Sequence, residues 1–195
     1  MMEPQFIIRR AMCRWRSERC ASLLNTVWFV AVLGVMAGLD YLSGDTFLSR
    51  FIWLVPPFAA TLSILLLLPQ SPIAQPIPVI VGSTLGAGIG WVASLFVHGP
   101  IFAVAAAAIK LLLLSRFHIY HPPGVALSMY PLLLHPGHLF SVVVVLPYTM
   151  IAVVSSALLS RRFAFWPRYP IPLDEPIAGT ATESRAADAT TQEER

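Results

Sequence analysis

Charge is what this chain has least of. Only 12% of its 195 residues are charged, against 56% hydrophobic, where soluble domains carry about 25% charged residues. There is one lysine, Lys110, against twelve arginines. Between residues 21 and 160 the acids and strong bases are Asp40, Asp45, Arg50, Lys110 and Arg116 alone. A water-exposed fold cannot leave so long a stretch nearly uncharged, so the chain reads as an integral membrane protein. Cysteine is scarce too. Cys13 and Cys20 lie in the basic N-terminal segment without further ligands at metal spacing, and a reducing compartment disfavours a disulfide. No cofactor or metal is expected. No nucleophile–base constellation is recognisable, so an enzyme ranks last, and no basic groove with interleaved aromatics speaks for nucleic acid.

The charges that exist are segregated. Arg9, Arg10, Arg14, Arg16 and Arg19 precede the first apolar run, and Arg161, Arg162 and Arg168 follow the last. The positive-inside rule places both ends in the cytoplasm and makes the number of crossings even. The expected location is a bacterial cytoplasmic (inner) membrane. Residues 1–20 read as a basic cytoplasmic segment, 21–160 as the membrane domain, and 161–195 as a cytoplasmic tail, disordered from about 174 for want of large apolar residues.

Within the membrane domain a tract occurs twice. Leu48-Ser49-Arg50-Phe51, four residues and Pro56-Pro57 recur 66 residues later as Leu114-Ser115-Arg116-Phe117, four residues and Pro122-Pro123. Ala60 and Ala126 keep the register, as do Leu66–Leu68 and Leu132–Leu134. Proline removes a backbone donor and disfavours helix in the residue before it, yet suits the first turn of a new helix. Each pair should therefore open a half-helix.

The expected spans are 21–42, a broken segment 47–68, 79–97, 101–115, a second half-helix 122–134, and 139–159. The connection from Pro69 to Pro78 carries four prolines in ten residues and must be irregular. Gly82, Gly86 and Gly90 form small-xxx-small pairs that admit another helix closely. The fold expected is all-α: a polytopic membrane bundle of two internal repeats, each with a proline-broken segment. Crossing segments give six spans and inverted repeats, whereas re-entrant ones give four spans and parallel repeats; six is preferred.

Proline-interrupted segments at matching positions of two halves point to a transport site. Half-helices opening at Pro57 and Pro123 would aim N–H groups and positive dipole ends at one cavity, joined by Lys110 and by Arg50 and Arg116, unless those two arginines mark the membrane interface and snorkel to water. Such a cavity favours a small anion. Ser71 and Gln75 are candidate polar contacts for the substrate or, equally, groups that satisfy the irregular backbone, and His121 is a candidate cap or proton carrier.

His121-Pro122-Pro123-Gly124-Val125-Ala126-Leu127 and Ser71-Pro72-Ile73-Ala74-Gln75-Pro76 carry a resemblance to the HPP family of integral membrane proteins. The histidine-led segment matches the tripeptide that names the family. The serine-led segment is similar to its Ser-Pro-Leu-Ala-Gln-Pro hallmark, and the glycine-bearing helix from Val81-Gly82-Ser83 falls where the family has one. The resemblance covers about residues 47–160. It departs at Pro56-Pro57-Phe58-Ala59-Ala60, where the family more often has Gly-Ala-Ser, and at Gly124-Val125 in place of Ala-Gly. It implies a small multi-spanning protein, some of whose relatives in plastids and cyanobacteria carry nitrite.

The function expected is therefore a transporter or channel for a small anion, most of all nitrite. The substrate-binding candidates are Arg50, Pro57, Ser71, Gln75, Lys110, Arg116, His121, Pro122, Pro123 and Gly124. The alternative is a non-transporting membrane scaffold or subunit whose Gly and Pro motifs serve packing. The lipid bilayer and the anion are the expected partners, and a homodimer is one way to cover the discontinuous segments.

Overall fold

A computed structural model describes residues 4–44, 53–164 and 166–171, with side chains from residue 23 onward. Arg50, Asp45, the side chains of Cys13 and Cys20, and the tail beyond residue 171 lie outside the described residues. The described chain is helical throughout. Helix α1 runs Pro4–Ser43, α2 Pro56–Leu67, α3 Ser83–Ser94, α4 Pro100–Arg116, α5 Pro122–Leu134 and α6 Leu146–Arg162. A π turn opens α3 at Pro78–Gly82, and another opens α6 at Ser141–Val145. Leu23–Ser43 and Ser141–Arg162 are long and apolar enough to cross a membrane, while Pro56–Leu67, Pro78–Ser94 and Pro122–Leu134 are shorter apolar helices.

The proline rules explain where α2 and α5 begin. Val55 (φ −116°, ψ 139°) and His121 (φ −131°, ψ 115°) are both extended, as a residue before proline must be, and the Pro-Pro pair then occupies the first helical turn. Alpha helices of 12 and 13 residues reach only about 18–20 Å. The extended residues leading into each add about 10 Å. At α6 the widened turn has a local cause: Pro147 lacks the N–H that would bond the Val143 carbonyl, and its ring would crowd that turn.

Alpha4 ends in a Schellman motif. His118 takes the left-handed conformation (φ 55°), its N–H bonds the Ser115 carbonyl at 3.2 Å, and the Ile119 N–H bonds the Leu114 carbonyl at 3.1 Å. Glycine is the usual residue there. The motif reverses the chain and delivers His121 to the foot of α5.

Side-chain contacts fix which ends lie together. The Trp53 N–H donates to Asp40 Oδ1 at 3.1 Å, so α2 starts beside the C-terminal end of α1. Gln70 Nε2 donates to the Arg168 carbonyl at 2.8 Å, and the Ile171 N–H donates to Gln75 Oε1 at 3.2 Å. The proline-rich connection thus sits beyond the C-terminal end of α6. The Phe58 and Tyr148 rings stack at 3.8 Å, and Tyr148 Oη donates to the Phe58 carbonyl at 2.7 Å, tying α2 to α6. Trp28 Nε1 donates to Ser155 Oγ at 2.9 Å, and its ring meets Trp166 edge-on at 5.6 Å.

The most extensive helix pair is α3 with α5. They run parallel, because the register of close approach advances together: Gly82 against Ile119 and His121, Gly86 against Gly124, Gly90 against Ser128. A Cβ on Gly90 would collide with the Ser128 backbone, so only glycine permits that approach. Large apolar side chains face outward, Phe96 (80% exposed), Ile101 (80%) and Leu112 (73%) among them. In water such a surface would aggregate; in hydrocarbon it is the surface a membrane protein needs.

Candidate functional site

The site is built around the one lysine. Lys110 lies on α4, is fully buried, and its Nζ has no hydrogen-bond partner among the described residues. A Cβ on Gly86 would overlap Lys110 Nζ and Cε and the Gly124 carbonyl oxygen, and one on Gly124 would overlap Lys110 Nζ and approach Ser83 Cα to 2.9 Å. The ammonium therefore occupies the space that two glycines leave free at the α3–α5 crossing. Ser83, also fully buried, offers an Oγ with no partner at the same crossing. No Asp or Glu occurs between Asp45 and Asp174. Asp40, the sole carboxylate among the described side chains, is engaged by the Trp53 N–H. A buried cation is normally paired or hydrogen-bonded, and Lys110 has neither partner among the described residues.

His121 lies three residues before Gly124, at the foot of α5. Its Nδ1 lies 2.8 Å from the Ile73 carbonyl, which can only accept, so Nδ1 carries a hydrogen. Its Nε2 lies 3.1 Å from Thr61 Oγ1, which is also 3.1 Å from the Pro57 carbonyl. Both motifs that carry the sequence resemblance are thereby in contact: His121 from one, Ile73 from the other. A family model described as "HPP, transmembrane region" matches residues 20–170. The chain belongs to the HPP family. The match is wider than the motifs alone, taking in α1 from residue 20 onward and the segment that holds the buried Trp166 and Tyr169. No curated protein and no solved structure matches the chain.

The HPP tripeptide thus has a physical reading in this chain. Pro122 and Pro123 start α5, His121 pins its foot to α2 and to the proline-rich connection, and Gly124 lets α3 and Lys110 approach. Gln75, from the other motif, uses every polar atom on backbone: Nε2 donates to the Pro69 and Ser71 carbonyls, each at 3.1 Å, and Oε1 accepts from Ile171. Ser71 is half-buried in that same connection. Pro57 is buried in the first turn of α2, and Arg116 is exposed in the last turn of α4. The geometry therefore gathers Lys110, His121, Pro123 and Gly124, with Pro57 contributing its carbonyl through Thr61. Arg116, Ser71 and Gln75 sit towards the periphery.

Thr61 and Ser83 escaped sequence reasoning. Thr61 is one apolar-helix threonine among several, and nothing in its spacing from Pro57 announces that it faces a histidine 60 residues away. A cavity of about 420 Å³ opens at the other end of the α3–α5 seam, past Gly90, and is lined by Trp91, Ser94, His98, Pro131, His135 and His138 among others. There the His98 and His135 rings stack at 4.3 Å.

Proposed function

We propose that this HPP protein carries a small inorganic anion, nitrite foremost, across a bacterial cytoplasmic membrane, with Lys110 as the charge that receives it. One observation carries the reading: the fully buried Lys110 amine has no partner among the described residues, whose sole carboxylate, Asp40, is engaged by the Trp53 N–H. An anion supplies the missing counter-charge. The buried Ser83 Oγ beside the same glycine crossing is a second donor, and the α5 N-terminus adds the positive end of its dipole. Nitrite has two acceptor oxygens, one for each of these side-chain donors.

Six crossings with inverted halves fit this reading best. With its extended lead-in, each Pro-Pro helix approaches the roughly 30 Å of the hydrocarbon core. The foot of α2 adjoins the end of α1, while its far end leads into the connection beside the end of α6. Helix, Pro-Pro helix, π-opened helix is the order in both halves. With the basic ends inside, Lys110 would sit in the cytoplasmic half and the 420 Å³ cavity would face outward. Arg116 would stand at the inner mouth as a steering charge.

The test is nitrite flux into proteoliposomes holding the full chain, compared with Lys110→Met. Flux that this substitution abolishes in a folded protein supports the reading. A protein that moves nitrite equally well without Lys110, or never moves it, refutes it, and the latter brings forward the scaffold alternative.

A further inference from the structure

We propose that His121 and Thr61 form a proton-binding site that loads together with the anion at Lys110, so that proton and anion cross in the same direction. The inference rests on the anion reading above and adds a coupling ion to it.

The hydrogen-bond geometry has room for one more proton and needs no heavy atom to move. Nδ1 keeps its hydrogen on the Ile73 carbonyl in either state. The single hydroxyl hydrogen of Thr61 has two acceptors within 3.1 Å, Nε2 of His121 and the carbonyl of Pro57. With His121 neutral, the hydroxyl donates to Nε2. When Nε2 takes a proton, its new N–H donates to Thr61 Oγ1, and the hydroxyl hydrogen turns to the Pro57 carbonyl. Each state leaves every ring nitrogen bonded. A purely structural histidine needs only one such arrangement, and apolar residues around it would lock one tautomer.

The neighbourhood then links this proton to the anion. His121 is met by Thr61 from α2, Ile73 from the proline-rich connection and Gly82 from the opening of α3, while Lys110 of α4 reaches Gly124, three residues further along α5. Lys110 is the one titratable group of these whose charge reaches the imidazole. A charged Lys110 repels a second cation at His121. An anion beside Nζ cancels that repulsion, so each ligand makes room for the other. Reciprocity of binding requires the converse: a protonated His121 holds the anion more tightly.

Two measurements on the full chain test this. In the first, proteoliposomes containing a lumenal pH dye receive external nitrite under a clamped membrane potential, with protein-free vesicles subtracting diffusion of the undissociated acid. Lumenal acidification of one proton per nitrite is expected. Thr61→Val keeps the shape and removes the hydroxyl, and should cut that acidification about tenfold or more, while Thr61→Ser restores it. In the other, ¹⁵N-histidine spectra of the detergent-solubilised protein follow His121, assigned by loss of its signal in His121→Asn. Nitrite should convert Nε2 from the unprotonated to the protonated shift in wild type and not in Lys110→Met. Nitrite flux without acidification, driven by voltage alone, overturns the coupling and leaves the anion reading intact. An Nε2 signal indifferent to nitrite overturns it as well. No nitrite flux from any preparation sinks both.

Discussion

Replacing Lys110 by methionine should make this protein more stable and useless. Lysine near the middle of a membrane helix costs up to about 3 kcal/mol relative to an apolar residue. Lys110 has no hydrogen bond or carboxylate to offset that cost among the described residues. Methionine has similar length and helix propensity, and its flexible thioether fills the glycine cradle without a polar atom. The anion-free variant should therefore gain roughly 2 kcal/mol over wild type. Nitrite removes that advantage. At a hundred times its dissociation constant a ligand stabilises the folded state by about 2.7 kcal/mol, so wild type should rise to meet the variant as nitrite is added. The variant, with nothing to bind it, should not respond. Reversible unfolding in mixed micelles, followed by tryptophan fluorescence at several nitrite concentrations, measures both numbers. A Lys110→Met protein less stable than wild type without anion would mean that the ammonium has a structural partner, which refutes the reasoning. Equal stabilisation of both proteins by nitrite refutes it too, because the anion would then bind away from Lys110.

Four further outcomes follow from particular contacts. Gly86→Ala and Gly124→Ala place a methyl on Lys110 Nζ and against the facing backbone, and should lose nitrite flux as well as stability; Gly90→Ala meets only the Ser128 backbone and should lower stability, by about 1–3 kcal/mol in an unfolding titration. His118→Gly relieves a left-handed non-glycine residue in the α4 Schellman motif and should raise stability by about 1 kcal/mol in the same titration, with flux unchanged. Tyr148→Phe keeps the stack on Phe58 but loses a buried 2.7 Å hydrogen bond, and should cost about 1 kcal/mol. Arg116→Gln removes an exposed charge, so nitrite flux should slow at low ionic strength and recover towards wild type in about 0.15 M salt.

The proline-started helices are legible in the sequence because proline's constraint is local: it acts on its own φ and on the residue before it. Lys110 is conspicuous there too, as the sole lysine in an apolar run. Its place against Gly86 and Gly124 is not, since the approach depends on how α3 and α5 cross. The π turns are hidden as well. Pro147 hints at the one in α6, but i→i+5 bonding at Pro78–Gly82 has no residue signature. Gln75 reads equally as a polar contact for substrate or as a group that satisfies the irregular backbone, and its bonds to Pro69, Ser71 and Ile171 supply the second role.

The choice between transporter and scaffold turns on what packing alone would select. A seam of Gly82, Gly86 and Gly90 against His121, Gly124 and Ser128 is a sufficient explanation for close helices, and a scaffold would need nothing more. It would have no use for a lysine inserted between Gly86 and Gly124, which adds a buried amine with no partner among the described residues. An apolar side chain in place of Lys110, with both glycines kept, would be more stable. The chain keeps the less stable arrangement while excluding acids from residue 46 to residue 173, and no carboxylate pairs with Lys110 among the described residues. An intramolecular partner would stabilise the fold and close the site. Leaving the cation bare transfers that stabilisation to a ligand from outside, which is the condition for binding and releasing it.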